Sequence, residues 1–125
     1  MQAVALVTGA AGFAGSHLVD QLLESRTDVH ALTRGAVPVD ERPGVRWWRA
    51  DVLDLDVLHR VVAAVRPSVV YHCAGRAHVH DAWKAPADAL RVNVLGTHQL
   101  LHACPDAGLD CRVFISEKRA TLVLR

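Results

Sequence analysis

Charge of one sign is missing from this chain. Fourteen basic side chains meet 13 acidic ones, a formal net charge of +1 at pH 7, so no field is present to recruit nucleic acid or an anionic membrane surface. Long apolar runs are missing too. The longest cover about six residues, far short of the roughly 20 that cross a bilayer, and Met1-Gln2-Ala3-Val4 opens without the charged region of a signal peptide. Cysteine is scarce and unpatterned: Cys73, Cys104 and Cys111 are odd in number and contain no C-x-x-C. A chain of 125 residues can bury a core without covalent staples, so reduced, buried thiols in a cytoplasmic protein are expected. Gly and Pro number only 8 and 5 against 51% hydrophobic residues, which excludes a disordered, collagen-like or low-complexity chain. One domain over residues 1–125 is expected.

What is present is a regular alternation. Ala3 to Thr8 (AVALVT) is a short, fully apolar run of the kind found in a parallel strand covered on both faces. A glycine turn, Gly9 to Gly15, follows it, and from Phe13 to about Arg26 the apolar positions recur at helical spacing. Val29 to Thr33 and Gly44 to Ala50 read as the second and third strands. Asp54 can cap a helix that runs to about Val65, where Arg66-Pro67 stops it. Ser68 to Ala74 is a fourth strand, a longer helix spans about Ala87 to Cys104 before Pro105 and Gly108, and Asp110 to Ser116 is a fifth strand. Such alternation specifies βαβ units, and right-handed crossovers then give a doubly wound α/β fold, a parallel sheet in the order 3-2-1-4-5. Ligands of such sheets bind past the carboxyl ends of strands one and four, where the winding reverses.

The turn Thr8-Gly9-Ala10-Ala11-Gly12-Phe13-Ala14-Gly15 leaves a strand and opens a helix, the context a glycine motif needs before it carries meaning. Gly9 permits the tight turn, Gly12 lets backbone approach a diphosphate, and Gly15 lets the helix lie close to the sheet. The free N–H groups and positive end of that helix attract phosphates. A glycine-rich loop that binds nothing is the alternative. Past the second strand, where an NAD-preferring fold places an acidic residue for the ribose hydroxyls, stand Thr33 and Arg34, with no carboxylate before Asp40. Arg34 can pair with a 2′-phosphate through a planar fork, which favours NADP and leaves NAD possible. Arg34 stacked on adenine without choosing a phosphate is the alternative.

The G-x-x-G-x-x-G spacing within TGAAGFAGSHL, the ADVLD after the third strand, the HCAG ending the fourth and the NVLGT within the long helix together resemble the extended short-chain dehydrogenase/reductase family, of the NAD-dependent epimerase/dehydratase type. The LTR after strand two and the AHVHDAW stretch resemble its GDP-mannose 4,6-dehydratase and GDP-4-keto-6-deoxymannose reductase branch. The resemblance implies that Gly9, Gly12, Phe13 and Gly15 hold a diphosphate and that Asp51 and the Val52 backbone meet the adenine edge. It further implies that Ala74 and Gly75 pass under the nicotinamide-side ribose, and that Asn93 lies near the active centre. It implies a nucleotide-sugar substrate, hydride transfer at a sugar carbon, and a homodimer for a full-length enzyme. Asp51 as a loop or capping aspartate and Asn93 as a solvent-facing asparagine stay open.

One departure from the family is plain. Its catalytic centre uses a Ser or Thr past strand five and a Tyr-x-x-x-Lys pair, whereas this chain has a single tyrosine, Tyr71, four residues before Gly75, and two lysines, Lys84 and Lys118, that match nothing. Ser116 alone stands at the expected catalytic position, and residues 117–125 read as a truncation or a shifted reading frame, which would leave the strand-five edge uncovered. Two functions are therefore expected in competition: the cofactor-binding part of a nucleotide-sugar epimerase, dehydratase or reductase that does not turn over alone, or a non-catalytic NADP-binding regulator. No metal site is expected, because His98 and His102 share a helix face without the glutamate of H-E-x-x-H, and His78-Val79-His80-Asp81 pairs by coincidence. His72 reads as packed near the cofactor rather than as a base. Trp47 and Trp48 read as packing against helices, with Trp83 within reach of substrate.

Overall fold

The computed structural model describes residues 2–35, 43–73, 94–116 and 121–124, with Ser116 and 121–124 described by their backbone. β1 (Val4–Thr8) leads through the glycine turn into α1 (Phe13–Glu24). β2 (Asp28–Thr33) and β3 (Val45–Arg49) follow, then α2 (Leu55–Val65), which ends on Arg66 in the left-handed region ahead of Pro67. β4 (Val69–His72), α3 (Gly96–Asp106), β5 (Arg112–Ser116) and β6 (Thr121–Leu124) complete the described elements. The expected 87–95 portion of the long helix is described only at Val94 and Leu95, which form a π turn before Gly96. Helical structure continues through Pro105 to Asp106, because proline at that point loses only one of the last ladder bonds.

The sheet runs β3-β2-β1-β4-β5-β6. Its first five strands are parallel in the expected order 3-2-1-4-5, and it is Rossmann-like. The period of two divides each strand between two cores. Leu6, Leu32, Val70 and Val113 point to one side, under Leu58, Val61, Val62 and Val65 of α2 and Leu100 and Ala103 of α3. Ala5, Val7, Val29 and Ala31 point to the other, under Val19 and Leu22 of α1. Trp48 packs on the first core and Trp47 on the second, so the two neighbouring tryptophans serve opposite faces of one strand, and the Trp48 indole donates to His30 Nδ1 at 3.1 Å.

Two expectations are corrected. The β5 edge is not left open: β6 pairs with it antiparallel, Val113 opposite Leu124 and Ser116 opposite Thr121, so the last residues satisfy β5's outward backbone groups. Three separate thiols are not found either. Cys104 at the end of α3 and Cys111 before β5 form a disulfide with Cα atoms 6.5 Å apart, because the turn through Gly108, whose φ is +73°, brings the helix end back beside the strand start. Cys73 is the free cysteine, and burial pushes its thiol pKa up.

Candidate functional site

β1 stops at Thr8 and the chain reverses at Gly9, whose φ of +64° lies in the left-handed region that glycine enters without steric cost. The Gly12 N–H donates to Gly9 O at 3.0 Å to close the turn, and the Ala10 N–H donates to Leu32 O at 3.3 Å, tying the turn to β2. A Cβ on Gly15 would strike Gly9 O and come within 2.9 Å of Ala10 Cα, so the closeness of α1 to β1 requires a glycine there. Gly12 differs. Its backbone is extended at φ −77°, ψ 175°, which any residue adopts, and a Cβ would stand 3.3 Å from Gly9 O, a tight contact that a small shift of the turn would have to relieve.

Gly12 is also the N-cap of α1, with no side-chain cap and no acidic residue in the first turn. Gly12 therefore offers no side chain to the first N–H groups of α1, and no acid in the first turn offsets the positive end of the helix dipole. Phe13, the first helical residue, turns its ring outward, 84% exposed and edge-on to His17. This geometry can receive a diphosphate at the expected residues, Gly9, Gly12, Phe13 and Gly15.

Between β1 and β4 the polar ends of two apolar strands meet. Thr8 and His72 are register partners, fully or nearly fully buried, with Thr8 Oγ1 2.7 Å from His72 Nδ1. Burial lowers the His72 pKa to about 4, so the imidazole is neutral near pH 7 and too weak a base to take protons there. Its Nε2 is buried and has no hydrogen-bond partner among the described residues, beside the point where the winding reverses. The sequence places His72 at the end of this strand, and the structure adds its pairing with Thr8. The legible signal was a polar residue ending each of two apolar runs.

On the β2–β3 side, Arg34 and Arg49 are exposed at the strand ends. Asp51 Oδ1 accepts from the Leu53 N–H at 3.0 Å, so this aspartate shapes its own turn while Asp54 caps α2 by accepting from the Val57 N–H. The Val52 side chain is buried against Gly96, where a Cβ would stand 2.8 Å from Val52 Cγ2. The Gln99 amide, oriented with its nitrogen toward acceptors, donates to Val52 O at 2.6 Å and Leu53 O at 3.1 Å. The ADVLD turn and the NVLGT helix are thus one packed unit, a contact the separate motifs did not reveal.

Among the described residues the large exposed hydrophobics are Phe13, Leu55, Val94 and Leu95. They begin α1 and α2 or immediately precede α3. Ala74, Gly75 and Asn93 lie outside the described residues, as do His78, His80 and Trp83. Ser116 is the last residue of β5. Tyr71 stacks on Phe114 with ring centroids 5.1 Å apart, and Arg112 stands over the same Phe114 ring. His98 and His102 are exposed neighbours on α3 with centroids 4.5 Å apart, and no group of three His, Cys, Asp or Glu converges among the described residues. No described helix is long and apolar enough to cross a membrane.

A parallel sheet in this order, with an uncapped helix behind a glycine turn at its switch point, defines the Rossmann-like class. The model of the NAD dependent epimerase/dehydratase family matches residues 5–117, and the chain belongs to that family. It is 33% identical over 115 residues to a GDP-mannose 4,6-dehydratase of Sordaria araneosa, covering 87% of this chain and 21% of that protein. A dTDP-glucose 4,6-dehydratase of Neisseria gonorrhoeae is 33% identical over 107 residues, covering 78% of this chain and 31% of the relative. The Thermus thermophilus UDP-glucose 4-epimerase, solved in complex with NAD, superposes with a TM-score of 0.77 at 36% identity, covering 85% of this chain and 35% of that one. The chain thus spans between about a fifth and a third of the length of these proteins.

Proposed function

We propose that this chain is the dinucleotide-binding part of an enzyme that moves a hydride between a nicotinamide cofactor and a sugar carbon of a nucleotide sugar, and that its preferred cofactor is NADP. The observation that carries the reading is the N-terminus of α1, open and uncapped behind Gly9, Gly12 and Gly15. Diphosphate oxygens would accept from its N–H groups, and Asp51 and the Val52 N–H would meet adenine. Ala74, Gly75 and Asn93 are assigned to the nicotinamide side. When bound, the cofactor supplies the hydride acceptor, while this chain holds and orients it. Ser116 is the proposed catalytic residue, a hydroxyl that would polarise the sugar oxygen.

The nucleotide-sugar substrate is proposed because the similar proteins named above are, by name, dehydratases and an epimerase of such sugars. Phe13, Leu55, Val94 and Leu95 are exposed apolar side chains of the kind a bound partner covers. The 125 residues contain no Tyr-x-x-x-Lys, so binding without turnover is proposed for this chain alone. A homodimer in the cytoplasm is the proposed setting of the complete enzyme. NADP is preferred because Arg34, not a carboxylate, follows β2.

Calorimetric titration with NADP and with NAD tests this. NADP is expected to bind more tightly, and Arg34→Ala to weaken NADP by roughly ten- to a hundredfold, the worth of a charge-assisted hydrogen bond, with NAD nearly unchanged. Equal binding of the two cofactors, or equal loss in the variant, would make Arg34 an adenine-stacking residue and remove the NADP preference.

A further inference from the structure

The sequence offers one cation, Arg34, at the adenosine end of the proposed site. The strand register supplies another. β2 and β3 run parallel with Thr33 opposite Arg49, and the Ala50 N–H donates to Thr33 O at 3.0 Å, so the two strand ends are fixed side by side. Pleating places Arg49 with Trp47 and Val45 on the α1 face, the face of the glycine turn. The Ala10 N–H to Leu32 O bond holds that turn against the end of β2, immediately before Thr33 and Arg34. Arg49 thus emerges beside the segment that presents Arg34, on the side from which α1 would take the diphosphate.

Both guanidiniums are exposed, and neither makes an ion pair with a carboxylate among the described residues. The neighbouring acid, Asp51, directs Oδ1 at the Leu53 N–H. Two exposed cations at the ends of paired strands are placed to share a dianion that approaches those ends. A phosphate monoester suits the place: it carries close to two charges and three acceptor oxygens, more than one planar fork can satisfy. A ribose 2′-hydroxyl offers neither charge nor a second acceptor.

We propose that Arg49 is a specificity-determining residue that binds the 2′-phosphate of NADP together with Arg34. The proposal rests on the reading that the chain takes NADP, and the experiment separates the two. Wild type, Arg34→Ala, Arg49→Ala and Arg49→Lys are titrated with NADP and NAD, and with adenosine 2′,5′-bisphosphate against adenosine 5′-monophosphate, after circular dichroism has shown each chain folded. Arg49→Ala should weaken NADP and the bisphosphate about tenfold and change NAD and the monophosphate less than twofold. Arg49→Lys should recover part of the loss, since it keeps the charge but not the fork. The salt dependence of NADP binding should be shallower in Arg49→Ala. If wild type prefers NADP and Arg34→Ala abolishes the preference while Arg49→Ala leaves it intact, Arg49 is excluded and the NADP reading stands. If Arg49→Ala weakens all four ligands alike, Arg49 serves the common adenosine and the proposal is overturned. If wild type binds NAD and NADP equally or binds neither, the NADP reading fails and the proposal falls with it.

Discussion

Two helices begin on the same rim of the sheet and begin differently. α2 is entered through Asp54, whose carboxylate accepts from the Val57 N–H, and carries Asp56 in its first turn. α1 is entered through Gly12, with no cap and no acid. Relative to a glycine N-cap, a side-chain cap is worth only a few tenths of a kcal/mol, and an acid in the first turn about 0.3–1 kcal/mol. α2 therefore has its terminus capped from within the chain, whereas α1 begins on a glycine that supplies no such cap, which is the end proposed above to take an anion. The contrast locates function by what the fold leaves undone. Asp begins the helix whose terminus is satisfied within the chain, and Gly begins the helix for which a ligand is proposed.

Substitutions can break or sharpen this contrast. The largest effect is expected at Gly15, where a Cβ cannot coexist with the Gly9 carbonyl and Ala10 Cα. Gly15→Ala should force α1 off β1 and cost about 3 kcal/mol in urea unfolding, the upper end of over-packing, with dinucleotide binding lost alongside.

Next comes the acid response of His72. Its pKa is 6.5 unfolded and about 4 folded, so between those values the unfolded chain binds a proton that the folded chain refuses. Stability is therefore full above pH 6.5 and falls as pH drops toward 4, by up to about 3 kcal/mol at 1.36 kcal/mol per unit. Urea midpoints measured from pH 7 to 5 should show that slope in wild type and a shallower one in His72→Gln. Equal slopes would place the acid sensitivity elsewhere.

Asp54→Ala should cost about 1 kcal/mol of stability and leave dinucleotide affinity within about twofold, since α2 has no ligand to hold. The smallest shift is the stability of Gly12→Asp, expected to rise by about 0.5 kcal/mol as α1 gains the kind of cap α2 already has.

The parts of this molecule legible in sequence are those governed by local rules. Five strands, their parallel order and the Asp54 cap follow from apolar runs, turn residues and a side chain that bonds three residues ahead. The glycine turn was legible because strand and helix patterns flank it. The rest depends on contacts between distant segments. β6 is four residues long, and its pairing with β5 is antiparallel, which no periodicity within TLVL encodes. The Cys104–Cys111 disulfide depends on where α3 ends and how the chain turns at Gly108. The nearness of Arg49 to the end of β2 is a matter of register, and so is the Thr8–His72 bond. Gly96 reads as part of a motif in sequence, but only the packing shows that it makes room for Val52.

The central claim is that the open end of α1 holds the dinucleotide, and Gly12→Asp tests it most directly because it closes that end with a charge while improving the helix. Calorimetric titration of NADP into both chains, beside their urea midpoints, should show saturable binding by wild type and at least tenfold weaker binding by Gly12→Asp, whose midpoint is equal or higher. Equal affinity in the two folded chains, or no binding by wild type, would contradict it.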